Sequence, residues 1–216
     1  MMGLKTAVEN RILNDVIRHN QNTDRKEWRV LVVDKLSIKM VSSCIKMHQL
    51  SAEGVTIVET LEKARQPIHN MEAIYLLTPT EESVNAFIND FKSPTSSLYK
   101  AAHVYFTEAI PDELFKTLSK SAAAKEIKSL VEVNISFTPY ESQVFSLAID
   151  PSRSLLYSSP KENTVQDLVE KMAEQVATLC TTLEEFPSIR YSSDSDRTRQ
   201  IAKLIYFLLS TLGCFF

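Results

Sequence analysis

Glycine is scarce. Only three occur in 216 residues, and no GxGxxG, P-loop or other glycine-rich turn follows any apolar run. No backbone cradle for a phosphate is therefore visible. A GxSxG elbow is also missing, which removes the usual sequence sign of an α/β hydrolase. The three cysteines, Cys44, Cys180 and Cys214, lie far apart without CxxC or Cys/His spacing. That argues against a disulfide framework and a zinc site, and it fits a reducing cytosol. The start, MMGLKTAVENRILND, is charged throughout and is not a signal peptide. Gly3, behind two methionines and ahead of Leu4, fits a myristoylation signal poorly. No cofactor is expected.

Charge of one sign is lacking too. The formal net charge is −3, which argues against a general nucleic-acid binder. Residues 1–50 hold nine Lys/Arg against five Asp/Glu, a local excess of +4, so the remainder carries −7. A basic first segment suits an acidic partner. The hydrophobic fraction of 44% and charged fraction of 24% are those of an ordinary globular protein.

Apolar residues at Val8, Ile12, Leu13, Val16 and Ile17 recur at helical spacing and predict an amphipathic first helix. After the polar stretch Asn20 to Lys26, Trp28 to Val33 is a β-branched run closed by Asp34 and reads as a buried strand. Similar runs follow at Val55 to Val58, Ala73 to Leu77, His103 to Phe106 and Leu130 to Val133. Helical patterns separate most of them. Glu81 to Phe91 has Thr80 as its cap and Val84, Phe87, Ile88 and Phe91 on one face. Another helix opens at Pro111, placed as its first residue, with Asp112 and Glu113 alongside. The strands look apolar on both faces, and the alternation predicts an α/β fold: a doubly wound, five-stranded parallel sheet over residues 1–135.

From residue 136 the pattern changes. Thr138 to Leu147 reads as a loop leading into a strand, and Pro151 to Pro160 as a polar connection. A long helix from Asn163 buries Leu168, Val169, Leu179 and Cys180 among others, and Pro187 stops it. The end of the chain is uncharged from Leu204 to Phe216, thirteen residues, short of the ~20 that span a bilayer. Cys214 stands third from the end, so it is no prenylation box. The expectation is an unpartnered apolar tail, prone to aggregation, whose removal before Ile201 improves yield.

An open parallel sheet invites an enzyme reading, with Asp34 at the end of the first strand as a reactive carboxylate. The plainer reading of Asp34 is a cap for the next helix. His103, opening an apolar strand, reads as a satisfied, half-buried side chain rather than a ligand or base. Phe115 shares its helix with Leu114 and Leu118 and could simply pack in the core. Glu132, between Val131 and Val133, favours an edge or strand end that a cation can reach. A small α/β enzyme or phospho-receiver using Asp34 remains the rival reading.

Seven segments in order resemble the exocytic branch of the SM (Sec/Munc) family of syntaxin-binding proteins. They are GLKTAVENRILNDVI, EWRVLVVDKLSIKMVSSCIKM, EGVTIVETLEKARQPI, AIYLLTPTEESVNAFINDF, YKAAHVYFTEAIPDELF, FTPYESQVFSL and QVATLCTTLEEFPSIRY. The match covers most of residues 3–191, is poorer over about 148–164, and fades after about Tyr191. The resemblance implies a non-enzymatic protein of vesicle docking and exocytosis, cytoplasmic and held at the plasma membrane through syntaxin. It implies a complete first domain (1–135), an incomplete α/β second domain (136–216) and no third, where the whole would form an arch around syntaxin. Matched positions for closed syntaxin are Asp34, Lys39, Lys46, Glu59 and Lys63. Lys39 stands where Arg is common, Ile38 where Met is, and Gln66 where Glu is. For the syntaxin amino-terminal peptide, Phe115, Ile127 and Leu130 match an apolar pocket and Asp112 and Glu132 an arginine site, with Ile110 where Cys is frequent.

Overall fold

In a computed structural model, the structure describes residues 3–19, 27–93, 97–147 and 162–211. The polar stretch at 20–26, the connection at 151–160 and the last five residues lie outside these. The chain divides into two compact units, Val8–Asn134 and Met1–Ala7 together with Ile135–Phe216.

The first unit is a five-stranded sheet of β1 (Arg29–Val33), β2 (Val55–Thr60), β3 (Glu72–Leu77), β4 (Ala102–Phe106) and β5 (Ile127–Glu132). All pairs are parallel, in the order β2-β1-β3-β4-β5. The β-branched and aromatic runs fill both faces of the three central strands, which are buried at every position. The edges differ from expectation. β2 and β5 are apolar runs lying at the rims, and they are buried on neither face throughout.

On one face Val30, Val32, Tyr75, Val104 and Phe106 form a core with Val84, Phe87 and Phe91 around helix α4 (Glu81–Asp90) and Leu118 of helix α5 (Asp112–Lys120). Tyr75 and Phe87 meet edge to face at 4.8 Å, a geometry their ring quadrupoles favour. The bent end of the first helix lies at the other face. Helix α1 (Leu4–Arg11) continues as a π-helical segment (Ile12–Ile17), closed by Arg18 N–H donating to Leu13 O at 2.9 Å. Ile12, Leu13, Val16 and Ile17 of this segment are all buried, and the wider π turn gathers these positions onto one side.

Thr80 caps α4 through the Ser83 N–H, as the sequence predicts. Pro111 sits one place earlier than expected: it is the cap of α5, with φ −58° and ψ 140°. Its carbonyl accepts the Phe115 N–H at 2.9 Å, so the missing proline N–H costs the helix nothing. Gly54 turns the chain into β2 at φ 91°, a conformation that residues with a Cβ avoid.

In the second unit the segment expected to be a loop and strand is a hairpin of β6 (Thr138–Glu141) and β7 (Val144–Ser146). Helix α6 (Glu162–Thr182) stops before Pro187. Glu184 takes a left-handed φ of 55°, and Glu185 N–H returns to Cys180 O at 3.0 Å, which closes the last turn without proline. The apolar tail is a helix, α7 (Asp196–Thr211). Its Ile205 and Leu209 pack against Ala173, Ala177 and Cys180 of α6, so the expectation of an unpartnered tail is corrected for residues up to 211. Stopping before Ile201 removes the partner of α6 rather than a loose appendage. Tyr206 and Phe207 remain 60% and 63% exposed. Among the described residues no helix is long and apolar enough to cross a membrane.

His103 is buried and bonded at both ring nitrogens. Nε2 lies 2.9 Å from Glu72 Oε2 and Nδ1 lies 2.9 Å from Ser129 Oγ. With Glu72 ionised, Nε2–H donates to the carboxylate and Nδ1 accepts from the serine hydroxyl. Burial lowers the His103 pKa, and the Arg29 and Lys128 charges add to this against the raising effect of Glu72. For Glu72, burial alone would raise the carboxyl, but hydrogen bonds from Lys128 and His103 bring it below its ordinary value. Both groups bind protons more weakly folded than unfolded, so their contribution is complete above the ordinary histidine pKa of about 6.5 and is lost as pH falls. Urea unfolding of the chain between pH 7 and pH 5 should show falling stability, and His103→Gln should flatten that slope. An unchanged slope in the variant assigns the loss to other groups.

Candidate functional site

The strand order reverses between β1 and β3, the place where open α/β sheets bind ligands. Asp34 follows β1 there, and it is 3% exposed. Its Oδ1 accepts from the N–H groups of Leu36 (3.1 Å) and Ser37 (2.8 Å), capping helix α2 (Lys35–Cys44). Its Oδ2 accepts from Thr78 N–H (2.6 Å), just past β3, and from Ser83 Oγ (3.2 Å) in α4. The carboxylate is a four-way internal tie. Its burial corrects the expectation that it meets closed syntaxin directly, and all four bonds are made within the chain. Among the described residues no group of three or more His, Cys, Asp or Glu side chains could hold a metal ion.

The other four residues of that set are spread out. Lys39 on α2, Lys46 just before helix α3 (Met47–Ala52) and Lys63 after β2 are exposed. Glu59 in β2 is half-buried and accepts the Tyr99 hydroxyl. It borders an interior network in which Arg65 grips Asp90 with two nitrogens, at 2.8 and 2.9 Å, and Tyr75 donates to Asp90 Oδ2 at 2.8 Å. Burial by itself would lower the Arg65 pKa, yet the hydrogen bonds and charge of Asp90 hold it above the ordinary value. Burial, then the hydrogen bond to Glu59, raises the Tyr99 hydroxyl. Among the described residues no hydrogen bond or ion pair joins any two of Asp34, Lys39, Lys46, Glu59 and Lys63.

The second set is divided between β5 and the start of α5. Glu132, at the strand's last position, accepts the Ile110 N–H at 2.9 Å and so fastens the turn before α5 to the sheet. Ile110, Ile127 and Leu130 are half-buried against one core cluster, together with Leu114. Phe115 is 47% exposed; Leu118 holds the core position on this helix, and Phe115 does not. Asp112 and Phe115 are three residues apart on α5, hence on one side of it.

Ile127 and Leu130 share a face for a reason that alternation does not show. Ala102 of β4 pairs with Ile127 but His103 pairs with Ser129, so Lys128 is the extra residue of a β-bulge. In a regular strand, positions three apart point to opposite faces. An apolar pair at that spacing around a lysine was the available signal. The sequence reading also missed Thr78 and Ser83 as partners of Asp34, which only the fold brings near.

Known proteins share this architecture. The model of the Sec1 family matches residues 29–211. The chain belongs to the Sec1 family. It is 36% identical over 200 residues to the protein transport protein sec1 of Dictyostelium discoideum, covering 93% of this chain and 33% of that one. It is 35% identical over 192 residues to the SNARE-interacting protein KEULE of Arabidopsis thaliana, covering 88% and 29%. The chain thus spans about a third of the length of the curated relatives it matches. Among solved structures, the Unc18–syntaxin 1 complex of Monosiga brevicollis matches with a TM-score of 0.87 and 32% identity over all of this chain and 38% of that one. Sly1p, solved with an amino-terminal peptide of Sed5p, shares the fold at a TM-score of 0.78 and 23% identity, over 95% of this chain and 38% of that one. The Sec1 match runs through α7, past Tyr191, where the family resemblance was expected to fade.

These placements separate surface from support. Phe115→Glu should leave the melting temperature within a degree or two of the parent. Asp34→Ala strands buried donors at about 1–3 kcal/mol each and removes a helix cap, so it should lower the melt by roughly 6 °C or more. Calorimetry of both variants checks this; equal losses would place Phe115 in the core.

Proposed function

We propose that this chain is a non-enzymatic, SNARE-binding protein of vesicle docking and exocytosis. Residues 1–135 form its syntaxin-binding first domain, and residues 136–216 belong to a second domain. It takes the amino-terminal peptide of a syntaxin-type SNARE at the β5–α5 edge, and a closed syntaxin bundle at a surface that includes Lys39, Lys46 and Lys63. It is cytoplasmic and meets the plasma membrane indirectly, through syntaxin. The observations carrying this reading are at β5 and α5: Phe115 is half-exposed on its helix, Ile110, Ile127 and Leu130 are half-buried on one core cluster, and Glu132 is exposed at the end of β5 and bonded to the Ile110 N–H. Half-buried apolar side chains with the Glu132 carboxylate at the end of the same strand suit a short peptide bearing one leucine and one arginine. The names of the relatives support it: an Arabidopsis relative is called SNARE-interacting, and the Monosiga neighbour was solved with syntaxin 1. The phospho-receiver alternative gains nothing from Asp34, whose oxygens are engaged.

Burying a leucine side chain contributes about 1.5–3 kcal/mol, roughly 10- to 150-fold in affinity. Isothermal titration of a syntaxin amino-terminal peptide into the 216-residue chain should therefore show binding that Phe115→Glu abolishes. A parent chain that binds no such peptide ends this reading.

The closed-bundle surface is tested separately, with two of its exposed lysines. Changing Lys39→Glu and Lys46→Glu together should weaken closed-syntaxin binding about three- to tenfold, in line with partly solvated charges, and should spare the peptide. Unchanged affinity for the bundle would remove these lysines from that surface.

A further inference from the structure

We infer that Lys128 is a positioning residue for the β5–α5 edge: tethered to Glu72, it holds the bulge that turns Ile127 toward the same side as Leu130 and Glu132. The inference rests on the peptide-site reading above and adds to it the residue that sets the site's shape.

The register carries the argument. From His103 onward, β4 and β5 pair regularly: His103 with Ser129, Val104 with Leu130, Tyr105 with Val131 and Phe106 with Glu132. Leu130 and Glu132 thus stand beside Val104 and Phe106, on the face packed against α4 and α5. Regular pairing continued toward the start of β5 would set Lys128 beside Ala102 and turn Ile127 to the opposite face. Instead Ile127 pairs with Ala102, and Lys128 points the other way, where Nζ meets Glu72 Oε1. Ser129 on that side meets His103 Nδ1 at 2.9 Å, and His103 Nε2 meets Glu72 Oε2 at 2.9 Å. Glu72 is therefore bonded from two directions and is itself mostly buried, with its side chain 10% exposed. Among the described residues β5 is the edge strand of the sheet, so no further strand pairing on its outer side resists a slip. The ammonium–carboxylate tether and the Ser129–His103 bond supply that resistance.

Two substitutions at one position then have opposite expected results. Lys128→Leu removes the tether and favours the inner position for residue 128, which drives Ile127 outward. Deleting Lys128 removes the extra residue itself. Ile127 and Leu130 then stand two places apart in a regular strand and keep the same face with no lysine present. The test measures affinity of the full chain for a syntaxin amino-terminal peptide, alongside thiol labelling at an Ile127→Cys site read by peptide mass mapping.

Lys128→Leu should weaken the peptide by about tenfold or more, consistent with losing one apolar wall, and should speed labelling at position 127. Lys128→Arg and the deletion should stay within about threefold of the parent, as tethers or strands that keep the face. Should Lys128→Leu not fold, Lys128→Ala carries the test with a smaller loss and the same rise in labelling. Parent-like binding and labelling in Lys128→Leu would overturn the inference. So would a deletion that loses the peptide as completely as Lys128→Leu does, since the lysine would then be touching the peptide. If the parent binds no peptide, the functional reading fails and labelling alone decides: faster labelling in Lys128→Leu upholds the bulge tether, and no change overturns it.

Discussion

The carboxylate of Asp34 fixes the centre of this fold. In one side chain it caps α2, accepts the first N–H after β3 and accepts the Ser83 hydroxyl at the start of α4. Two strands and two helices are thereby held at the point where the strand order reverses. Four donors on one buried carboxylate compensate for taking the charge out of water. The same arrangement fills the crevice in which sheets of this kind ordinarily keep a ligand.

Both rims are half-polar strands stiffened from the inside. At β2 the stiffening comes from Glu59 and Tyr99, backed by the Arg65–Asp90–Tyr75 cluster. At β5 it comes from Glu72, shared by His103 and Lys128. An edge strand left bare is a template for unwanted pairing. Here charged side chains and a register shift at each rim break the regularity that such pairing needs. Glu59, which looks like an isolated surface charge in the sequence, is bonded to Tyr99 at the border of an interior network.

The sheet was legible because β-branched and aromatic runs recur between helical patterns, and the three central strands are as apolar as alternation demands. The caps were legible where the chemistry is local, as at Thr80 and Asp34. The bond from Ile110 N–H to Glu132 depends on β4 and β5 being neighbours, which the alternation of strands and helices made natural. What sequence could not give is long-range. Thr78 and Ser83 reach Asp34 only because β1 and β3 are neighbours. Ile127 joins Leu130 only because a bulge offsets the period of two, and Glu59 turns inward because Tyr99 lies beneath it. The apolar residues after Ile201 read as unpartnered because the surface that receives them consists of Ala173, Ala177 and Cys180, small residues that carry little hydrophobic signal of their own.

The guanidinium of Arg11 donates to the carbonyls of Val133 and Asn134, at 2.6 and 3.4 Å, where Asn134 turns the chain out of the sheet at a left-handed φ of 50°. The two ends of this bond are 122 and 123 residues apart in sequence. During synthesis the first helix therefore waits for the last strand of its unit, and closing so long a loop is entropically expensive. Non-local pairing of this kind slows folding, and until β5 arrives the apolar underside of the π-helical turn has no complete surface to lie on. A nascent chain in that interval is the form most in need of protection from aggregation.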